Sequence, residues 1–246
     1  MKGLWAVLVE RNVNSHTVMS LLDVSVHARH ENILRINTHY RRVDDARNMI
    51  TRMFWEYFKG DEHDDAVVVM LDNDHIYPHD IVPRLVSRCD AEHEVVGALA
   101  FRRSKPHDPC FYRLNEQGHA SDIPLSFDGS LVQCDIVGTG AIAIRKSALR
   151  KLQAAGFDWP WFRFIYQPGI ENMIQRTEDW NFGLECQKIG IPHWCDTSIV
   201  IPHITEEMVV EDHWLREISW GAEHPEEFSK RYAQLGMKIL PKEQTE

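Results

Sequence analysis

Apolar positions in the first hundred residues switch between two periods. Residues 4–9 form a continuous apolar run, short enough to be a strand buried on both faces. Residues 17–27 read as a helix, and residues 32–38 alternate with period two as a second strand. Between Asp44 and Phe58, apolar side chains recur at Ala46, Met49, Ile50, Met53, Phe54 and Tyr57. That spacing predicts a helix with Asp44 or Asp45 as its cap and Gly60 as its terminator. Residues 65–71 are the strongest strand in the chain, and they run straight into Asp72-Asn73-Asp74. A helix over 78–86 and a strand over 94–101 follow. Strands and helices that alternate in this way, with nearly all-apolar strands, predict an α/β fold: a mostly parallel sheet covered by helices on both faces. Ligands of such sheets sit beyond the carboxyl ends of the strands, the edge at which Asp72 and Asp74 stand.

The second half is less regular. Residues 111–114 and 131–136 read as strands of a small antiparallel portion, and Val137-Gly138-Thr139-Gly140 as a tight bend feeding a strand over 141–144. Residues 146–154 read as a helix, and the aromatic-rich stretch 157–167 as a mobile loop. The helix over 177–189 is well signalled: Thr177 caps it, Glu178 and Asp179 fill its first turn, and Gly190 and Pro192 end it. A strand over 194–201 closes at Pro202-His203. With no repeat, linker or compositional break, residues 1–246 read as one domain, and 206–246 as a largely helical C-terminal extension.

Composition narrows the function classes. A chain of 246 residues with 43% apolar and 26% charged residues has the make-up of an ordinary globular enzyme. Its net charge of -10 is a poor footprint for non-specific nucleic-acid binding, although Arg41-Arg42, Arg47, Arg102-Arg103-Ser104-Lys105 and Arg145-Lys146 offer a local basic strip. Five cysteines, odd in number and without CxxC spacing, argue against a disulfide framework and for a reducing cytoplasm. No run approaches the roughly 20 apolar residues of a membrane span, so the chain reads as soluble.

The candidate chemistry begins at Asp72-Asn73-Asp74. Two carboxylates one residue apart face the same way if the strand geometry continues. Their hard oxygens suit Mg²⁺ or Mn²⁺, ions that are readily shared with substrate phosphates. The competing reading is a solvated turn, which Asp and Asn also favour. Glu178 and Asp179 either complement the helix dipole or reach a cleft in which one acts as general base. His203, one of 14 histidines, is an ordinary surface or core residue or the imidazole completing an oxygen-rich site. Gly138-Thr139-Gly140 is either a bend or a point of ligand approach; neither GxGxxG nor GxxxxGK[ST] occurs, which removes support for dinucleotide and P-loop readings. Trp159, Trp161, Trp180 and Trp194 cluster in sequence around the acidic helix, as core packing or as flat platforms for a sugar or base.

In order along the chain stand Leu71-Asp72-Asn73-Asp74-His75, the Gly-rich segment Val137 to Arg145, the helix opening Thr177-Glu178-Asp179, and Pro202-His203, with Ala46-Arg47-Asn48 on the helix before them. This set resembles the GT-A (Rossmann-like) fold of nucleotide-sugar glycosyltransferases, in particular the inverting family 2, over about residues 4–205. The resemblance implies a metal-dependent hexosyltransferase moving a sugar from a nucleotide-diphosphate donor, a UDP-sugar such as UDP-glucose foremost, to an acceptor hydroxyl. It implies that Asp72 faces the nucleoside with Asn73 beside it. It also implies that Asp74 and His203 bind Mn²⁺ or Mg²⁺, that Arg47 helps hold the nucleotide, and that Gly138, Thr139 and Gly140 line the donor sugar. Asp179, with Glu178 beside it, becomes the base that deprotonates the acceptor, and Trp180, Trp159 and Trp161 candidate acceptor contacts. The acidic pair usual after the family's second strand is replaced here by Asn37-Thr38-His39-Tyr40-Arg41, and the Gln-x-x-Arg-Trp motif of processive synthases is missing. The acceptor stays open among a glycan, a protein, a small molecule and a modified DNA base. A retaining transferase, a nucleotidyltransferase, and a non-catalytic sugar-nucleotide or glycan-binding module are the alternatives.

Overall fold

A computed structural model describes residues 3–9, 15–28, 33–39, 42–123, 127–169, 174–204, 208–209, 211–234 and 238–239. The first half follows the periodicity closely. Strand β1 (Gly3–Val9), helix α1 (Ser15–His27), β2 (Ile33–His39), α2 (Val43–Tyr57), β3 (Val67–Leu71), α3 (Ile81–Arg88) and β4 (Val95–Leu99) succeed one another. Then come four short strands, β5 (Phe111–Leu114), β6 (Ala120–Ile123), β7 (Leu131–Cys134) and β8 (Ile136–Val137). They lead to β9 (Ala141–Arg145), α4 (Lys146–Ala154), β10 (Ile165–Tyr166), β11 (Ile174–Arg176), α5 (Glu178–Lys188) and β12 (His193–Val200). The described part of the chain closes with β13 (His203–Ile204), β14 (Met208–Val209), α6 (Glu211–Glu223), α7 (Pro225–Gln234) and β15 (Lys238–Ile239).

The main sheet has the order β2-β1-β3-β9-β4-β12-β7. Strands β2, β1 and β3 pair in parallel, as do β4 and β12, while β9 runs antiparallel between β3 and β4, and β7 antiparallel at the edge. The fold is α/β, with a mixed sheet and a mostly parallel set of strands. A smaller sheet, β15-β6-β5-β8, stands beside it. Period-two alternation divides the core between the two faces. Leu4, Ala6, Val68 and Met70 pack with α2, α4 and α5 residues such as Phe54, Leu149 and Phe182. Trp5, Val7, Val67 and Val69 pack with Val24 of α1 and with Ile81 and Leu85 of α3. Every residue of β3 and β4 is buried, the reason their sequences carry no polar face.

Local readings differ in instructive ways. Helix α2 starts at Val43 with Arg42 at its N-cap, not at an aspartate, because the Asp44 carboxylate is gripped by the Arg42 guanidinium at 2.8–3.0 Å. Thr177 does occupy the N-cap of α5, but its hydroxyl makes no capping bond. The 157–167 segment is fastened at its middle by Asn48. The Asn48 Nδ2 donates to the Phe162 carbonyl at 2.6 Å, Phe162 N donates to Asn48 Oδ1 at 2.9 Å, and the Trp159 indole donates to the Asn48 carbonyl at 3.0 Å. Towards the C-terminus, α6 and α7 occupy 211–223 and 225–234, and Trp214, Phe228 and Tyr232 join the core on the α2 face. Residues 32, 40–41, 205–207, 210, 235–237 and 240–246, over which some of these readings extend, lie outside the described residues, as do the side chains of Asn37, Thr38 and His39.

Candidate active site

Because β9 runs against β3, the chain entering β9 meets the chain leaving β3. Leu71 pairs with Ala141, and Asp72 N donates to the Gly140 carbonyl at 3.0 Å. The buried Tyr77 hydroxyl reaches both the Asp72 and Gly140 carbonyls, at 2.5 and 2.9 Å. Backbone contacts then join the turn after β3 to the segment after β12. Ile76 N donates to the Pro202 carbonyl, Ile204 N donates to the Asp74 carbonyl at 2.8 Å, and His75 and His203 form a bridge pair. Three segments far apart in sequence therefore meet at one edge of the sheet, beside a cavity of about 590 Å³. Asp72, Asn73, Asp74, Gly138, Thr139, Gly140, Glu178, Asp179, Trp180, His203 and Arg47 all line it.

Buried Arg47 organises one wall. Its Nη2 lies 2.9 and 3.0 Å from the two Asp72 carboxylate oxygens, its Nε 3.3 Å from Glu178 Oε1, and its Nη1 3.2 Å from the Thr139 carbonyl. With its side chain only 1% exposed, Arg47 orders these groups from behind. One buried guanidinium balances one carboxylate, so the second carboxyl is pressed to keep its proton. Burial pushes Glu178 up to about 7, with Arg47 pulling against it. The folded chain thus holds a proton that the unfolded chain has lost, and stability falls as pH rises from about 4.5 to about 7. Thermal unfolding of Glu178→Gln against the wild type across that window is expected to show the wild type losing on the order of 2 kcal/mol relative to the variant. Parallel pH profiles would contradict this.

Asp74 organises the other wall. Its Oδ2 lies 3.3 Å from His203 Nε2, and its Oδ1 lies 2.8 Å from His75 Nδ1. Burial drives His75 towards the neutral imidazole. Among the described residues, Asp74, His75 and His203 form a group of metal-ligating side chains whose ligand atoms all lie within 4.8 Å of one another. Two observations test whether these residues fit a cation. Asp74 Oδ1 and His75 Nδ1 touch each other at 2.8 Å without hydrogen-bond geometry, and His75 Nε2 is buried with no hydrogen-bond partner, an arrangement that is costly unless something else completes it. The His203 Nδ1 sits 3.0 Å from the Phe101 carbonyl, which makes Nδ1 the protonated nitrogen and leaves the Nε2 lone pair facing Asp74. The donor set fits a divalent ion.

His75 is the ligand candidate that sequence reasoning missed. Its only signal in the sequence is adjacency to Asp74. The glycines also acquire definite reasons. A Cβ on Gly140 would lie 2.7 Å from His75 Cε1, and one on Gly138 would lie 2.7 Å from Cys110 Cβ. Gly140→Ala is therefore expected to push the His75 ring aside and weaken Mn²⁺ binding about tenfold while the fold persists, as read by titration of the free ion. Unchanged affinity would remove His75 from the site.

The tryptophans separate. Trp180 lines the cavity with its ring 5.3 Å from that of Tyr112. Trp161 is 1% exposed and belongs to the core, packed against Trp55, so it has no face to offer an acceptor. Trp159 lies on the surface beneath the Arg52 guanidinium and is not part of the cavity wall.

No family model matches the chain, and no curated protein does. Among solved structures it is similar to A197 from STIV, with a TM-score of 0.58 at 17% identity over 87% of this chain and 92% of that chain. That likeness establishes a shared fold. Looser similarities lie to a glycosyltransferase involved in the glycosylation of the major capsid of PBCV-1 (TM-score 0.35, 11% identity, 65% of this chain and 70% of that one). Another lies to the inositol-1-phosphate CTP transferase from T. maritima (TM-score 0.39, 11% identity, 89% and 78%). Both are too distant to bear on what this chain does. Among the described residues, no helix is long and apolar enough to cross a membrane.

Proposed function

We propose that the chain is a metal-dependent glycosyltransferase that moves a sugar from a nucleotide-diphosphate donor, a UDP-sugar first among them, to an acceptor hydroxyl with inversion. One observation carries the reading: a single cavity is lined both by the Asp74, His75 and His203 cluster and by Glu178-Asp179 at the start of α5. A divalent ion bound at the cluster would neutralise the charge that develops on the departing diphosphate. Asp72, steadied by Arg47, is then the group that meets the nucleoside, so the contribution of Arg47 to nucleotide binding is indirect. Gly138, Thr139 and Gly140 form the floor beneath the donor sugar. Asp179 takes the proton of the acceptor hydroxyl, a poor nucleophile until a carboxylate relieves it of that proton. Glu178 is held back by Arg47 and is less suited to the role. Trp180 and Tyr112 supply flat faces on which an acceptor ring can stack.

Thermal-shift measurements with a panel of nucleotide sugars, with and without Mn²⁺, followed by analysis of the product anomer, test the proposal. Stabilisation is expected only when donor and ion are present together, and the transferred sugar is expected in the inverted configuration. Pyrophosphate release in place of sugar transfer would redirect the reading to a nucleotidyltransferase. Donor binding without transfer to any acceptor would redirect it to a binding module.

A further inference from the structure

A carboxylate oxygen and a bare imidazole nitrogen facing each other at 3.3 Å repel unless something positive lies between them. In this structure that role falls to Arg103. Its Nη2 donates to Asp74 Oδ2 at 2.5 Å and its Nε donates to His203 Nε2 at 2.8 Å. These atoms belong to two of the three side chains that a divalent ion would need. We infer that Arg103 is a removable counter-ion, which occupies the cation seat until a metal arrives and then swings to the donor's diphosphate; the inference rests on the metal-site reading above.

Comparison with Arg47, on the same cavity, shows why this one can leave. Arg47 is 1% exposed and held by three separate groups, a permanent partner for Asp72. The Arg103 side chain is 61% exposed, on the loop that follows β4. The base of that loop is fixed without it. Phe101 bridges Pro109, and Arg102 N donates to the Asp108 carbonyl at 3.0 Å. The neighbouring Arg102 side chain is committed to the buried Asp108 carboxylate at 3.5 Å. Arg103 can therefore turn about its own side-chain bonds with no backbone change. A guanidinium that gives up a carboxylate finds an equivalent fork of acceptors in a diphosphate, so its displacement by the ion and its capture by the donor reinforce each other. Ion and donor would bind cooperatively, and Arg103 would carry part of the coupling.

Mn²⁺ alone is the probe, with free ion followed by its magnetic-resonance signal in the absence of nucleotide. Arg103→Ala is expected to bind Mn²⁺ about tenfold more tightly than the wild type, a gain of about 1.4 kcal/mol. Arg103→Gln, which keeps the stem, is expected to behave alike. Addition of UDP is expected to tighten Mn²⁺ binding in the wild type by a larger factor than in either variant. Unchanged or weaker Mn²⁺ binding in both variants would overturn the inference, since Arg103 would then not compete for the seat. UDP binding that needs Arg103 but is indifferent to Mn²⁺ would also overturn it, making the arginine a fixed replacement for the ion. Asp74→Asn separates the underlying reading: wild-type Mn²⁺ affinity in that variant, or no Mn²⁺ binding by any of the proteins, sinks the metal site itself.

Discussion

Asp74→Asn is expected to lose Mn²⁺-dependent binding of a UDP-sugar by about 100-fold or more, the largest effect on affinity of any single change in the cavity. The substitution keeps the shape of the side chain and one oxygen but removes the charge that His75, His203 and Arg103 converge on. It costs little fold stability, because the turn carrying residue 74 is tied down by backbone bonds at Asp72, Ile76 and Ile204. Donor affinity without added ion is expected to stay near the wild-type value, since the nucleoside contacts proposed for Asp72 are untouched. Calorimetry with and without Mn²⁺ measures both quantities. Ion-dependent affinity within a few-fold of wild type would show that the Asp74 charge is not what holds the cation.

The largest effect on rate is expected at Asp179. Asp179→Asn should lower turnover by about 10²–10⁴-fold, the usual contribution of a positioned general base, and leave donor affinity within about threefold. Asp179 lies in the first turn of α5 and lines the same cavity as Asp74 and His203, with its Oδ1 accepting the backbone N–H of Trp180 at 2.8 Å. That bond fixes the carboxylate's direction and survives the change to asparagine, which retains an oxygen. Loss of turnover with donor binding intact would thus report the missing proton acceptor and not a displaced helix. Full sugar transfer by Asp179→Ala would take this residue out of the mechanism, and a dead Glu178→Gln alongside an active Asp179 variant would assign the role to its neighbour.

The first hundred residues were legible because each element is encoded locally. β3 is apolar at every position and is buried at every position, and its end places Asp72 to Asp74 where parallel strands present ligands. Strand β9 was legible as a strand but not as the neighbour of β3 and β4, because apolar alternation states that a strand is buried and says nothing of which edge it joins. That one placement brings Gly138 to Gly140 against Asp72. His75 and Arg103 escaped for a related reason. A histidine after an aspartate and an arginine in a basic strip are common, and only the meeting of the segments after β3, β4 and β12 gives them a shared purpose. Trp161 could be core or platform by sequence, since an aromatic-rich stretch looks the same whether its rings face solvent or the core; it is core.

The threefold grip of Arg47 has a consequence for recombining this protein with distant homologues. The arginine comes from α2, early in the chain, while Thr139 and Glu178 come from segments 92 and 131 positions later. A crossover placed anywhere between them would join a guanidinium from one parent to carbonyl and carboxyl positions from the other. Chimeras should therefore inherit these residues as a set, even where each parental half looks self-sufficient by sequence.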